Sequence, residues 1–218
     1  MGYKTKNGLF ALIFTISGFS CVFIAFVTPY WLENDGQHEN PKFQRLGLWE
    51  VCLNDFDDVR HWYDTKFNGC MWIFEEEYYI IHDILLPGFF VATQFFFTLT
   101  FTILLLGMLM VALFMCCSRD HDRFVLLLLM IGSTHVTAAI SGTIAVVTFG
   151  ARGDGRDWMP NWEHNNMSWS YAFAVFGVMF LYAAGVLFLV EARRFKRRKD
   201  NEMATQAAYH MEQQHQRT

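Results

Sequence analysis

The chain has 218 residues, of which 53% are hydrophobic and 23 are Phe, and a formal net charge of −4. The apolar residues fall in four long blocks, so little is left to build a separate soluble core. That excludes an ordinary water-soluble enzyme or a basic nucleic-acid binder and points to one membrane domain of four spans.

The first eight residues are too short to fold. Gly2 stands where N-myristoylation occurs, but Lys6 occupies the position at which Ser or Thr is preferred. The first span covers residues 9–29. No small-residue cleavage site follows it, so it reads as a retained anchor rather than a signal peptide. Ser17, Gly18 and Ser20 suit close helix approach, and Tyr30 and Trp31 suit the membrane interface.

Residues 30–83 form a first loop with 12 acidic residues against Lys42, Arg45, Arg60 and Lys66. Lys4, Lys6, Arg119, Arg123 and the run 193–199 lie at the other ends of the spans. The excess of Lys and Arg there places both termini in the cytoplasm and the acidic loop outside. Within that loop, 48–53 and 70–74 carry the β-branched and aromatic residues of strands. Asn34-Asp35-Gly36, Asn40-Pro41 and Asn68-Gly69 are expected to be turns. Cys52 and Cys70 lie in an oxidising compartment, which permits a disulfide across a small antiparallel sheet.

The second block, 84–115, is too long for one crossing. Pro87-Gly88 suggests entry near Phe89, and Gln94 requires a partner or water. The connection 116–123 makes the second and third helices antiparallel neighbours. Cys116 and Cys117 in it are candidates for palmitoylation. In the third span, 124–149, Thr134, Ala138 and Gly142 recur at four-residue spacing beside Ser133, Thr137, Ser141 and Ala145, a small-residue packing face. His135 in mid-span is expected to be neutral and bonded to a neighbouring helix. The second loop, 150–168, holds Trp158, Trp162 and the sequon Asn166-Met167-Ser168, which makes Asn166 a candidate for N-glycosylation. The fourth span, 169–190, ends in a basic stop-transfer run that can touch anionic lipid. The tail 191–218 is expected to be disordered.

Trp31, then Gly47-Leu48-Trp49, then Cys52 and Cys70, all between the first two of four spans, resemble the signature of claudins and their relatives. The resemblance implies a mainly α membrane protein, a left-handed four-helix bundle with a small extracellular antiparallel sheet, built mainly from the first loop plus one strand of the second. It implies that Cys52 and Cys70 pair, and that Trp31, Gly47, Leu48 and Trp49 anchor the sheet. The 17 residues between the cysteines are about twice the usual claudin spacing. The chain also closes on Gln214-His215-Gln216-Arg217-Thr218, without the hydrophobic terminal residue that claudins offer to PDZ scaffolds. Both features bring it nearer to the invertebrate claudin-like proteins of septate junctions, including the insect Pasiflora group.

The function implied is structural: adhesion and a paracellular barrier at lateral cell contacts, with like or related family members, other junction proteins and membrane lipid as partners. A second class is an auxiliary channel subunit. Tetraspanins fit poorly, since their cysteine-rich loop lies between the third and fourth spans. The acidic residues Asp55, Asp57, Asp58, Glu75, Glu76 and Glu77 are either a solvated face or a surface for cations or a basic partner. His38, His61, His82 and His164 lack metal-ligand spacing. No nucleophile motif, phosphate loop or dinucleotide fingerprint is present, so neither enzyme chemistry nor a cofactor is expected.

Overall fold

The computed structural model describes residues 5–37, 40–57, 66–116, 123–153, 155, 158–160 and 162–216, without the side chains of residues 77, 215 and 216. Among these residues, four helices are long and apolar enough to cross a membrane.

Helix α1 (Lys6–Val27) starts at Thr5, whose hydroxyl oxygen accepts from the amide of Gly8 at 3.2 Å. It stops at Thr28 because Pro29 has no amide to continue the ladder. After a 3₁₀ turn (Glu76–Ile81) and the single-turn α2 (His82–Leu85), α3 runs Gly88–Cys116. It therefore begins four residues later than the apolar block, at the break made by Pro87. Helix α4 is Phe124–Arg152 and α5 is Trp169–Gln216.

Neighbouring helices pack in the order α1, α5, α4, α3, with α1 and α3 touching more sparsely. Helix α5 is the wedge, and two glycines allow it. A Cβ on Gly177 would lie 2.8 Å from Val22 Cγ2 of α1, and one on Gly185 3.1 Å from the Gly132 carbonyl of α4. These separations bring helix backbones together without side chains between them. The packing face of α4 is Gly132, His135, Ala138, Ala139, Gly142 and Ala145. Ser133 and Thr137, expected beside that face, are instead exposed, with hydroxyls bonded back to the carbonyls of Met130 and Ser133. Such back-bonding removes the need for a partner on another helix. His135 does face a neighbour: Nδ1 lies 2.8 Å from the Ile131 carbonyl and Nε2 3.3 Å from Thr15 Oγ1 of α1.

The tail differs from expectation. Rather than being disordered, residues 191–216 continue α5 without a break. No Gly or Pro follows Gly185, and Ala, Glu, Lys, Arg, Gln and Met dominate, so local propensity sustains the helix beyond the bundle.

At the other end sits a five-stranded antiparallel sheet, in the order β4-β3-β2-β1-β5. Its strands are β1 (Leu32–Asn34), β2 (Phe43–Leu46), β3 (Glu50–Phe56), β4 (Phe67–Trp72) and β5 (Asn165–Met167). Leu32 pairs with Leu46 on one side and Met167 on the other, so β5 of the second loop closes onto the first. Asn68-Gly69 is not a turn. Both residues lie within β4, where Gly69 has φ +96° and the pairing with β3 shifts around Asp55, φ +47°. The Asn68 side chain accepts from the Asp55 amide at 2.6 Å and stabilises this bulge.

Candidate functional site

The residues that fasten sheet to bundle converge where α1 ends. Trp31 is wholly buried. Its Nε1 donates to the Ala25 carbonyl of α1 at 2.7 Å, and its ring meets Phe97 of α3, Phe149 of α4 and Tyr171 of α5 at 5.1, 5.0 and 5.8 Å. An interfacial seat against lipid is thus corrected: Trp31 plugs the mouth of the bundle and touches all four long helices. Its amide also donates to the Leu46 carbonyl at 2.8 Å, tying the plug to β2.

Gly47, Leu48 and Trp49 make the tight connection from β2 to β3. The Gly47 amide donates to the Glu50 carbonyl at 2.8 Å. A Cβ at Gly47 would overlap Pro29 and lie 2.9 Å from the Thr28 carbonyl oxygen, so only glycine lets this connection press against the end of α1. Leu48 is buried, and its carbonyl accepts from Gln94 Nε2 of α3 at 2.6 Å. Trp49 is half-buried against Phe26, ring centroids 5.3 Å apart.

Cys52 and Cys70 stand directly opposite on β3 and β4 and form a disulfide, Cα atoms 4.0 Å apart. Arg45 of β2 lies over it: Nε is 3.2 Å from Cys52 Sγ, and Nη1 donates to the Tyr30 hydroxyl at 2.8 Å. Tyr30 in turn stacks on Trp169 at 4.9 Å. Glu50 lies within 4.8 Å of both sulfurs. With the sulfurs bonded to each other, no thiolate remains there to ligate a metal.

The acidic residues separate into two groups. Near the bulge, Lys66 Nζ lies 3.0 Å from Asp55, and Lys42 pairs with Asp57. The hydrogen bond from Lys42 holds the Asp57 carboxyl below its ordinary range. The hydrogen bond to Asp55, aided by its charge, raises Lys66. Glu75 and Glu76 are exposed beyond β4, at the start of the 3₁₀ turn. Asp58, Cys117 and the Glu77 side chain lie outside the described residues. Cys116 is exposed at the end of α3. Asn166 is exposed on β5 opposite Glu33, while the Ser168 hydroxyl of its sequon donates to Glu33 at 2.7 Å.

Three contacts escaped the sequence. Trp158 of the second loop donates from Nε1 to the Ile84 carbonyl at 2.9 Å and packs on Phe89 at 4.8 Å. His164 Nδ1 lies 2.9 Å from Asp35, clasping the two loops together. Thr5 donates to the buried Glu191, joining the start of α1 to α5. Each joins residues far apart in the chain, and only an isolated polar or aromatic residue beside a span hinted at any of them.

Four apolar spans capped at one end by a disulfide-stapled antiparallel sheet define a multi-pass membrane protein of claudin-like architecture. The family model described as PMP-22/EMP/MP20/Claudin tight junction matches residues 16–190, and the chain belongs to that family. Among curated proteins none matches it significantly.

Proposed function

We propose that this chain is a structural and adhesion protein of occluding junctions, working through its sheet on the paracellular diffusion barrier. The observation that carries this reading is the attachment of the sheet. Trp31, Gly47, Leu48 and Gln94 fix it to the helices through buried contacts and main-chain hydrogen bonds. A sheet so held keeps a constant pose above the membrane, which lets neighbouring copies meet edge to edge or face to face without first ordering a loop.

The proposed orientation puts the sheet outside the cell. Lys6, Arg123 and the run Arg193, Arg194, Lys196, Arg197, Arg198 and Lys199 lie at the end away from it, as the distribution of positive charge favours. The membrane is the lateral plasma membrane, and the partners are like or related family members in the same and the facing cell, with other junction proteins. The long spacing between Cys52 and Cys70 favours the septate-junction branch, to which the insect Pasiflora group belongs. Cys116 and Cys117 are proposed acylation sites and Asn166 a proposed glycosylation site. Glu75, Glu76 and Glu77 are the proposed carboxylates for a cation or basic partner, because Asp55 and Asp57 already have lysines of their own.

The test is tracer passage across an epithelium lacking the protein, with a tagged copy imaged in the same tissue. Junctional staining and leak of a dextran of about 10 kDa support the barrier. An intact barrier with an altered membrane current would replace it with a role as an auxiliary channel subunit.

A further inference from the structure

A cavity of about 120 Å³ opens where α1 leaves the bundle, walled by Phe26, Pro29, Leu48, Trp49, Glu50 and Trp72. A single water needs only about 10–15 Å³ of such space, so the cavity has room for a chemical group of several heavy atoms. Three features of its walls define what that group is.

The first is apolar continuity. Ring contacts run from Phe23 to Phe101 (6.2 Å), Phe101 to Phe26 (4.6 Å), Phe26 to Trp49 (5.3 Å), Trp49 to Phe74 (6.4 Å) and Phe74 to Trp72 (5.3 Å). Phe23 and Val27, at the end of α1, are 45% and 53% exposed on a helix that crosses the membrane, and Trp72 is 55% exposed on the sheet. An unbroken apolar strip therefore climbs from the hydrocarbon level to the cavity.

The second is charge. Glu50 makes no ion pair within 4.0 Å among the described residues, although the Arg45 guanidinium lies against the same disulfide, and it stands directly opposite Trp72 in the β3–β4 register. A carboxylate beside an indole face favours a cation, and a quaternary ammonium most of all, because it needs no hydrogen-bond acceptors. The third is a donor without an acceptor. Trp49 Nε1 is buried and has no hydrogen-bond partner among the described residues. An ester or phosphoryl oxygen at the cavity wall would supply one.

We infer that this cavity binds the headgroup of a phosphocholine lipid from the adjoining leaflet. The quaternary ammonium faces Glu50 and Trp72, a lipid oxygen accepts from Trp49, and the acyl chains lie along Phe23 and Val27. The inference rests on the placement of the spans and not on the junction role, so the two can fail separately.

The test is native mass spectrometry of the full chain, delipidated in mild detergent and offered equal amounts of phosphatidylcholine and phosphatidylglycerol with identical acyl chains. One phosphatidylcholine per chain should be retained about tenfold over phosphatidylglycerol, as a desolvated cation–π contact with a carboxylate allows. Glu50→Gln, which keeps the shape of the side chain, and Trp72→Ala should each abolish that preference. Leu109→Ala, on the exposed surface of α3, should leave it intact. If Trp72→Ala does not fold, Glu50→Gln alone carries the test. Equal retention of the two lipids by the parent chain would overturn the proposal, as would an unchanged preference in Glu50→Gln. So would displacement of the lipid by soluble phosphocholine, which would identify a site for a free small molecule, or equal competition by phosphatidylethanolamine.

Discussion

The side-chain amide of Gln94, on α3, donates to the main-chain carbonyl of Leu48, 46 residues earlier, at 2.6 Å in a buried setting. This bond fixes the connection between β2 and β3 to a membrane helix. Replacing Gln94 with Leu leaves the Leu48 carbonyl buried and unpaired, at a cost of about 1–3 kcal/mol. Thermal unfolding in detergent should show a clear drop in midpoint for Gln94→Leu. Thr98→Val should show little change, because among the described residues the Thr98 hydroxyl bonds to its own helix, at the Gln94 carbonyl.

Gly47→Ala should be worse tolerated than its size suggests. The added methyl meets Pro29 and the Thr28 carbonyl, both main-chain features that cannot rotate away. Overpacking of this kind costs about 1–3 kcal/mol. The expected outcome is a lower unfolding midpoint, accompanied by faster hydrogen exchange at the amides of Trp31 and Gly47, whose main-chain bonds bracket the strained contact.

Removing the disulfide tests how far the sheet depends on its staple. The bonded cysteines are 18 residues apart, and closing a loop of this size stabilises by about 3 kcal/mol in the chain-entropy model. The double variant Cys52→Ser, Cys70→Ser should lose about that much. The loss should appear as protease sensitivity in β3 and β4, while the helix ends away from the sheet, packed in a separate apolar cluster around Leu12, Phe114, Leu128 and Phe188, remain protected.

Two surface pairs set the pH range over which the β3–β4 end is held. The Asp57 carboxyl is depressed by Lys42, so its contribution is present above the ordinary carboxylate value of about 3.9 and is lost as pH falls through the lower folded value. Lys66 is raised by Asp55, so its contribution is complete below the ordinary lysine value of about 10.4 and is lost as pH rises through the higher folded value. Between about pH 5 and 9 neither pair should titrate. Lys42→Met should move the Asp57 carboxyl up toward the ordinary range in a carboxyl-detected NMR titration, with the main-chain hydrogen bond and the Lys66 charge still holding it down, and high salt should mimic part of that effect.

The long spans and the paired strands β3 and β4 are legible in the sequence, because each leaves a local trace in periodicity, alternation or residue type. Gly47 stands out only through the family resemblance, and its tight connection into β3 lies inside the expected strand 48–53. Other features have no such trace. Strands β1 and β5 have three residues each, and only their pairing with one another and with β2 makes them strands. Trp31 has the sequence setting of an interfacial tryptophan. Its burial is decided by Phe97, Phe149 and Tyr171, brought in by three different helices. The polar composition of residues 191–216 fits disorder as well as it fits a solvated helix, and continuity with a span already formed removes the nucleation cost that would otherwise decide between them.

That continuity has a mechanical meaning. At about 1.5 Å per residue, residues 191–216 carry α5 about 39 Å past residue 190, farther than the hydrocarbon thickness of a bilayer. The projection is a lever with no joint between it and the span wedged against α1 and α4. A scaffold or filament that grips its far end is kept at a set stand-off from the lipid. Torque or tilt applied there passes directly into the helix whose first turn is bonded to Tyr30 through the Ser170 amide, just after Ser168, whose amide donates to the Trp31 carbonyl at the base of the sheet.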